Sequence, residues 1–183
     1  MSKNWKLTII SRKRKPENIL NGKGIHLFHQ NIWGLFSKEG LFEEFLNRSK
    51  DIDILTLSET HIDPTESNNL YNGFSFENKP RNSGKGGGVS VYVSDNTVYK
   101  RRKDLEDHDV EWLWLEITPK NSKGILVCCI YRPDSSKFLP KNFEKKISNI
   151  LSEISNLSRK CIMLGDVNTV SYTHLTLPTI LLV

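Results

Sequence analysis

The chain is short of cysteine, of long apolar runs and, toward its end, of charge. Its three cysteines, Cys128, Cys129 and Cys161, form no C-x-x-C pair. Neither a disulfide framework nor a zinc site is therefore expected, and the thiols read as free in a reducing compartment. Cys128 and Cys129 are neighbours in an apparent strand, so they point to opposite faces. No stretch approaches the length that spans a bilayer, and the first residues lack the apolar core of a signal peptide. Nuclear or cytoplasmic residence is the expectation, with no membrane contact. Residues 169–183 contain no Lys, Arg, Asp or Glu.

What is present suits one domain: 183 residues can enclose a sizeable core but not two. The net charge of +5 is modest but clustered, in Arg12–Lys15, Lys79–Lys85 and Lys100–Lys103. Such runs suit a polyanionic partner, or are simply solvated faces. Residues 1–24 are polar and basic and read as a flexible lead-in, in which Arg12–Lys15 fits a nuclear-import signal or a basic arm equally well.

Order is expected from Ile25. Ile25–Ile32 reads as a strand, Ser37 as a helix N-cap with Glu39 in the first turn, and Leu41, Phe42, Phe45 and Leu46 as that helix's apolar face. Ile52–Ser58 is apolar on both sides, as a strand covered on both faces requires. Strand, helix, strand suggests a β-α-β start. Residues 63–82 read as loops around a short Phe74–Phe76 piece. Val89, Val91 and Val93 alternate with Ser90, Tyr92 and Ser94 as in a half-buried strand. Glu111–Thr118 and Ile125–Tyr131 flank a Pro–Gly turn signal and predict a hairpin. Phe143, Ile147, Ile150, Leu151 and Ile154 share one helix face, and Cys161–Leu164 is a short buried strand.

Four pieces end such strands: Asn31, Ser58-Glu59-Thr60, Tyr131-Arg132-Pro133-Asp134 and Gly165-Asp166-Val167-Asn168. Gathered at one rim, they supply what metal-assisted phosphodiester cleavage needs: oxygen ligands for a hard cation, a carboxylate to deprotonate water, and donors for the developing charge. Glu59 is the first candidate for a metal ligand and Asn31 the second, although an Asn there also suits an Asx-turn. Asp166 suits the general base, Asn168 a hold on the phosphate and Tyr131 a hydroxyl donor. Gly-Asp-x-Asn alone also reads as a turn, and a strand-end Tyr as packing. Arg81, Lys85 and Arg132 are the candidates for substrate contact. Gly84–Gly88 has neither phosphate-loop nor dinucleotide spacing and leads into a strand, so it reads as a tight loop or a close backbone approach. His26 and His29 fall on opposite faces of one strand and form no metal pair. His61 lies near the site without an evident partner.

The ordered set Gln30-Asn31-Ile32, Leu57-Ser58-Glu59-Thr60, Gly86-Gly87-Gly88-Val89, Tyr131-Arg132-Pro133 and Gly165-Asp166-x-Asn168 resembles the endonuclease-exonuclease-phosphatase superfamily. Within it, the likeness is to the apurinic-type endonuclease domain of non-LTR, jockey-like retrotransposons, over residues 25–168. The resemblance implies an α/β fold, a four-layer α/β sandwich of two mixed β-sheets flanked by helices, with its second half incomplete here. It also implies Mg²⁺, with Mn²⁺ as a substitute, held by Asn31 and Glu59. Tyr131 would lie against the scissile phosphate, and Asp166 with Asn168 would position the attacking water. DNA would be nicked to leave a 3′-hydroxyl that primes reverse transcription of the element's RNA, through a reverse transcriptase domain absent here.

The chain departs from the family pattern at Val167, where Phe is usual, and at Asp134, where Asn is common. A late Asp and a Ser-Asp-His have no counterpart, and His174 is not assigned the catalytic role. Val170–Thr179 resembles translated adapter sequence, so 169–183 is expected to be non-native, the alternative being a genuine terminal strand. Weak or absent nuclease activity, an exposed inner sheet face and poor solubility follow as expectations. The competing readings are an inositol-phosphate or sphingolipid phosphodiesterase of the same superfamily, and a non-catalytic basic nucleic-acid-binding remnant.

Overall fold

A computed structural model describes residues 8–10, 24–49, 51–63, 71–82, 86–119, 123–134, 141–168 and 179–182. Two five-stranded mixed sheets face each other. The first has the order β1 (Thr8–Ile10), β2 (His26–Asn31), β3 (Ile54–Ser58), β5 (Val89–Ser94), β4 (Phe74–Lys79). The second has the order β10 (Thr179–Leu182), β9 (Lys160–Asp166), β8 (Ile125–Tyr131), β7 (Glu111–Ile117), β6 (Tyr99–Arg101). Helix α1 (Glu39–Arg48) packs outside the first sheet and α2 (Phe143–Asn156) outside the second. This is the four-layer α/β sandwich.

Three apolar cores correspond to the three layer boundaries. Leu27, Ile54, Val91, Leu113, Val127, Cys129 and Leu164 meet between the sheets. Trp112, Trp114, Cys128 and Met163 meet Ile150 and Ile154 of α2, while Phe28, Leu55, Leu57 and Tyr92 meet Phe42 and Leu46 of α1. Each Leu or Ile so enclosed contributes roughly 1.5–3 kcal/mol relative to exposure. Period-two alternation sends Leu113 inward and Trp112 outward, and splits Cys128 from Cys129 as expected. All three cysteines are buried and free. No described helix is long and apolar enough to cross a membrane.

The β2–α1–β3 unit is parallel and β7–β8 is an antiparallel hairpin, as the sequence predicts. Other expectations are corrected. The inner face of the first sheet is covered, because β6–β9 supply a second sheet against it. Strand β5 is central and buried on both faces, Tyr92 included, since Phe42, Tyr71 and Phe76 cover its outer side. Phe74–Phe76 belongs to a full strand, β4. Ser37 sits inside a 3₁₀ turn, Phe36–Lys38, one residue short of the position flanking α1, and its hydroxyl donates to the Gly34 carbonyl at 2.9 Å. Leu41, expected on the apolar face, is 72% exposed. Thr8–Ile10 pairs parallel with β2, and Thr179–Leu182 pairs antiparallel with β9.

Two of the basic runs are engaged in ion pairs. Arg101 donates from Nε and Nη2 to Glu106 at 2.9 and 3.0 Å, and from Nη1 to Glu77 at 3.0 Å. Arg102 binds Asp104 and Glu116. Lys79 lies 3.8 Å from Glu106, and burial pulls its ammonium below its ordinary value against the opposing pull of that carboxylate. Arg12–Lys15 lies outside the described residues.

Candidate active site

Two parallel strand pairs, one in each sheet, end at the same rim. In the first, register places Asn31 beside Ser58, so Glu59 follows next to it. In the second, Tyr131 stands beside Asp166. The sandwich closes these ends on each other. The Asn31 amide donates from Nδ2 to Glu59 Oε1 at 2.6 Å and to Asp166 Oδ2 at 3.0 Å, across the two sheets. Such carboxyl ends are where ligands bind in open α/β sheets.

Glu59 is buried, and the His61 Nε2 lies 3.6 Å from its Oε2. Among the described residues, Asp166 has no Lys or Arg within ion-pair distance. The hydroxyl of Tyr131 is pushed above its ordinary pKa by burial, then by the adjacent, hydrogen-bonded Glu59 carboxylate, with Arg81 opposing. It therefore stays a protonated donor at neutral pH. Asn168 follows β9 and is clamped: its N–H donates to Asp166 Oδ1 at 3.2 Å, and its Nδ2 to the Arg132 carbonyl at 2.8 Å. Arg132 in turn donates from Nη1 to the Asn168 carbonyl at 2.9 Å, with its guanidinium 5.8 Å from the Phe143 ring centre.

These residues border a cavity of about 420 Å³ lined by Trp33, Glu59, His61, Arg81, Tyr131 and Asn168, among others. The backbone around it is strained. Of six non-glycine residues with left-handed φ among the described residues, four are here: Trp33 (49°), Glu59 (53°), His61 (54°) and Asn168 (38°). Such conformations cost of order 1–3 kcal/mol each and concentrate at functional sites.

The sequence reading missed Glu111. Its carboxylate accepts Arg81 Nε at 2.7 Å and, through its other oxygen, the Gly88 N–H. The Arg81 guanidinium lies 5.9 Å from the Tyr131 ring centre, so one buried ion pair holds both the glycine loop and the tyrosine. Hairpin register carries the missing signal, since it sets Glu111 directly opposite Tyr131. Gly86, Gly87 and Gly88 all have positive φ, and the carbonyls of Gly87 and Gly88 accept the His61 and Thr60 N–H groups. That is the close backbone approach expected of this loop. His61 does have partners, Glu59 and the edge of Trp33 at 5.4 Å. His29, one step inward from Asn31, bonds Thr56 at 3.0 Å, and burial lowers its pKa to about 4 despite Asp166 and Thr56. Lys85 and His174 lie outside the described residues.

The donor set fits a hard divalent cation. Glu59 and Asp166 offer two carboxylates, and Asn31 a carboxamide oxygen that here accepts the Trp33 N–H while its Nδ2 faces both acids; Mg²⁺ keeps several waters while taking only one or two carboxylates. Both carboxylates share a neutral amide, and Ser58 Oγ beside Asn31 is buried without a hydrogen-bond partner. No group of three acidic, His or Cys ligands forms among the described residues.

Fold and rim together define a four-layer α/β sandwich with polar residues gathered at the strands' carboxyl ends. The sequence matches the Endonuclease/Exonuclease/phosphatase family over residues 29–175, and the chain belongs to that family. No curated protein sequence matches it. Among solved structures, the catalytic domain of Xenopus laevis APE2 is similar, with a TM-score of 0.57 and 17% identity over 78% of this chain and 58% of that one. The 2′,3′-cyclic phosphatase ANGEL2 gives 0.56 and 18% over 80% and 53%. The endonuclease domain of TRAS1, a telomere-specific non-LTR retrotransposon, gives 0.56 and 14% over 79% and 61%. At these identities the likeness is one of fold. The chain spans little more than half the length of these structures.

Proposed function

We propose that this chain is the DNA endonuclease domain of a non-LTR retrotransposon, dependent on Mg²⁺ and acting in the nucleus on target DNA. The observation that carries the reading is the junction of Asn31, Glu59 and Asp166 at one amide, beside a cavity lined by Tyr131 and Asn168. Asn31 and Glu59, with Asp166 beside them, would hold the cation, which when bound would neutralise charge on the phosphoryl oxygens. Asp166 accepts a proton from the attacking water, which Asn168 helps to orient. The Tyr131 hydroxyl donates to a phosphoryl oxygen, kept protonated by burial and Glu59. Breaking the bond to the 3′ oxygen leaves a 3′-hydroxyl, the primer that a reverse transcriptase acting on the element's RNA requires.

The test is nicking of supercoiled plasmid by the purified chain with Mg²⁺ or with EDTA, followed by polymerase extension of the nick. Slow, Mg²⁺-dependent nicking with extendable ends is expected. Nicking indifferent to EDTA, or ends that no polymerase extends, would contradict the reading. A second reading, a phosphodiesterase for small substrates such as inositol phosphates or sphingolipids, draws on one observation: Arg101 and Arg102 are engaged within the protein. Hydrolysis of a small phosphodiester in preference to plasmid would select it.

A further inference from the structure

Trp33 is the least comfortable residue of the described chain. It is 67% exposed, the largest apolar side chain so placed, although most tryptophans bury their rings. Its φ of 49° lies in the left-handed region, which a bulky residue avoids at a cost that Gly or Asn would not incur. Nothing in the core requires this choice, since Ile32 and Leu35 on either side are the residues that are buried.

The conformation is nevertheless rigidly imposed. Ile32, Gly34 and Leu35 donate their N–H groups in turn to the carbonyls of Ser58, Glu59 and Thr60 at 3.0, 2.7 and 2.9 Å. That ladder continues the β2–β3 pairing past both strand ends. The Trp33 N–H meets Asn31 Oδ1 at 3.3 Å, and its ring meets His61 edge-on at 5.4 Å. A large, flat, exposed ring is therefore fixed at the mouth of the cavity that Glu59, Tyr131 and Asn168 line.

We propose that Trp33 is a substrate-contacting residue that stacks against a nucleobase next to the phosphate in the cavity. The inference rests on the nuclease reading above and adds to it the surface that grips the nucleoside. An aromatic ring suits this role because every base presents a π-face, and stacking of this kind tolerates sequence. The ordering of the ring is built into the fold, so little rotational freedom is lost when a base arrives.

The experiment uses a Trp5→Phe chain, leaving Trp33 beside the buried Trp112 and Trp114 as the emitting residues. A short duplex oligonucleotide is titrated with Ca²⁺ in place of Mg²⁺, following tryptophan fluorescence. Saturable quenching is expected in the parent; read in every chain by the anisotropy of a dye-labelled duplex, affinity should fall about 10-fold in Trp33→Ala and be largely kept in Trp33→Phe. Trp33→Gly separates function from folding: it relieves the left-handed φ, so its melting temperature should equal or exceed the parent's while DNA affinity falls as in Trp33→Ala. If the parent binds and nicks DNA but Trp33→Ala and Trp33→Gly bind equally well, the stacking role is wrong and the nuclease reading stands. If the parent does not bind the duplex at all, both fail.

Discussion

Two polar clusters lie between the sheets or at their edges, and they are built on opposite terms. Around Arg101, acids and bases pair: Glu106 and Glu77 face the guanidinium, Lys79 faces Glu106, and Lys146 faces Asp107 and Asp109. Around Asn31, two carboxylates converge on a neutral amide, with His61 within ion-pair distance of Glu59 and Arg81 across the cavity paired to Glu111. The left-handed residues follow the same division, with Trp33, Glu59, His61 and Asn168 at the second cluster and none in the first. Balanced charge with relaxed backbone marks a cluster that holds the fold. Unbalanced acid with strained backbone marks one arranged for something that arrives from outside. Lys79, Arg101 and Arg102 of the basic runs thus belong to the frame, and the candidate site lies among acids.

The comparison predicts contrasting mutational signatures. The largest effect belongs to Asp166→Asn, where plasmid nicking should drop by about 10³-fold, within the usual range for a lost general base, with Glu59→Gln close behind through lost cation binding. Melting temperature should stay level or rise, because a like charge is removed from a crowded rim. A clear loss of stability in these variants would erase the distinction between the clusters. Arg101→Met should do the reverse, leaving Glu106 and Glu77 without their main cation at a cost of about 3 kcal/mol in urea unfolding. Its DNA affinity should stay near the parent's, and a large fall in affinity at unchanged stability would return the basic run to the DNA interface.

Gly87→Ala probes the link between the glycine loop and the site. A Cβ there meets the Arg81 guanidinium, and its φ of 68° disfavours Ala, so about 1–2 kcal/mol of stability should be lost. Activity should fall too, since Arg81 packs over Tyr131; unchanged nicking would mean the tyrosine does not depend on this prop. The smallest effect is in acid. Burial raises the Asp107 carboxyl, but the Lys146 ammonium and the Asp109 N–H together outweigh it and hold the group below its ordinary value. The pair's contribution is present above the unfolded carboxylate's pKa near 4 and fades as pH falls below it. Lys146→Ala should therefore reduce stability by no more than about 1 kcal/mol at pH 7 and by nothing near pH 2. A difference that persists at the lower pH would show that Lys146 acts through packing instead.

Local pattern made much of this molecule legible. Asn31, Glu59, Tyr131 and Asp166 could be placed because each directly ends or follows an apolar strand, and parallel strands put such ends side by side. The helix face of α2 and the inward and outward sides of β7 follow from period alone. What stayed hidden depends on residues distant in sequence. Arg101 finds Glu77 across 24 positions and Arg81 finds Glu111 across 30, pairings that no window around either residue contains. Strand β5 alternates like a half-exposed strand because Ser90 and Tyr92 are polar, yet α1 and Tyr71 cover that side.

The most direct test of the acidic rim is a Mn²⁺ titration followed by electron paramagnetic resonance, on the parent chain and on Glu59→Gln, Asp166→Asn and Arg101→Met. The parent and Arg101→Met should each bind one ion saturably, while Glu59→Gln and Asp166→Asn should lose that binding. An absence of saturable binding in the parent, or equal binding in all four chains, would contradict the assignment of Asn31, Glu59 and Asp166 as the place where a cation is held.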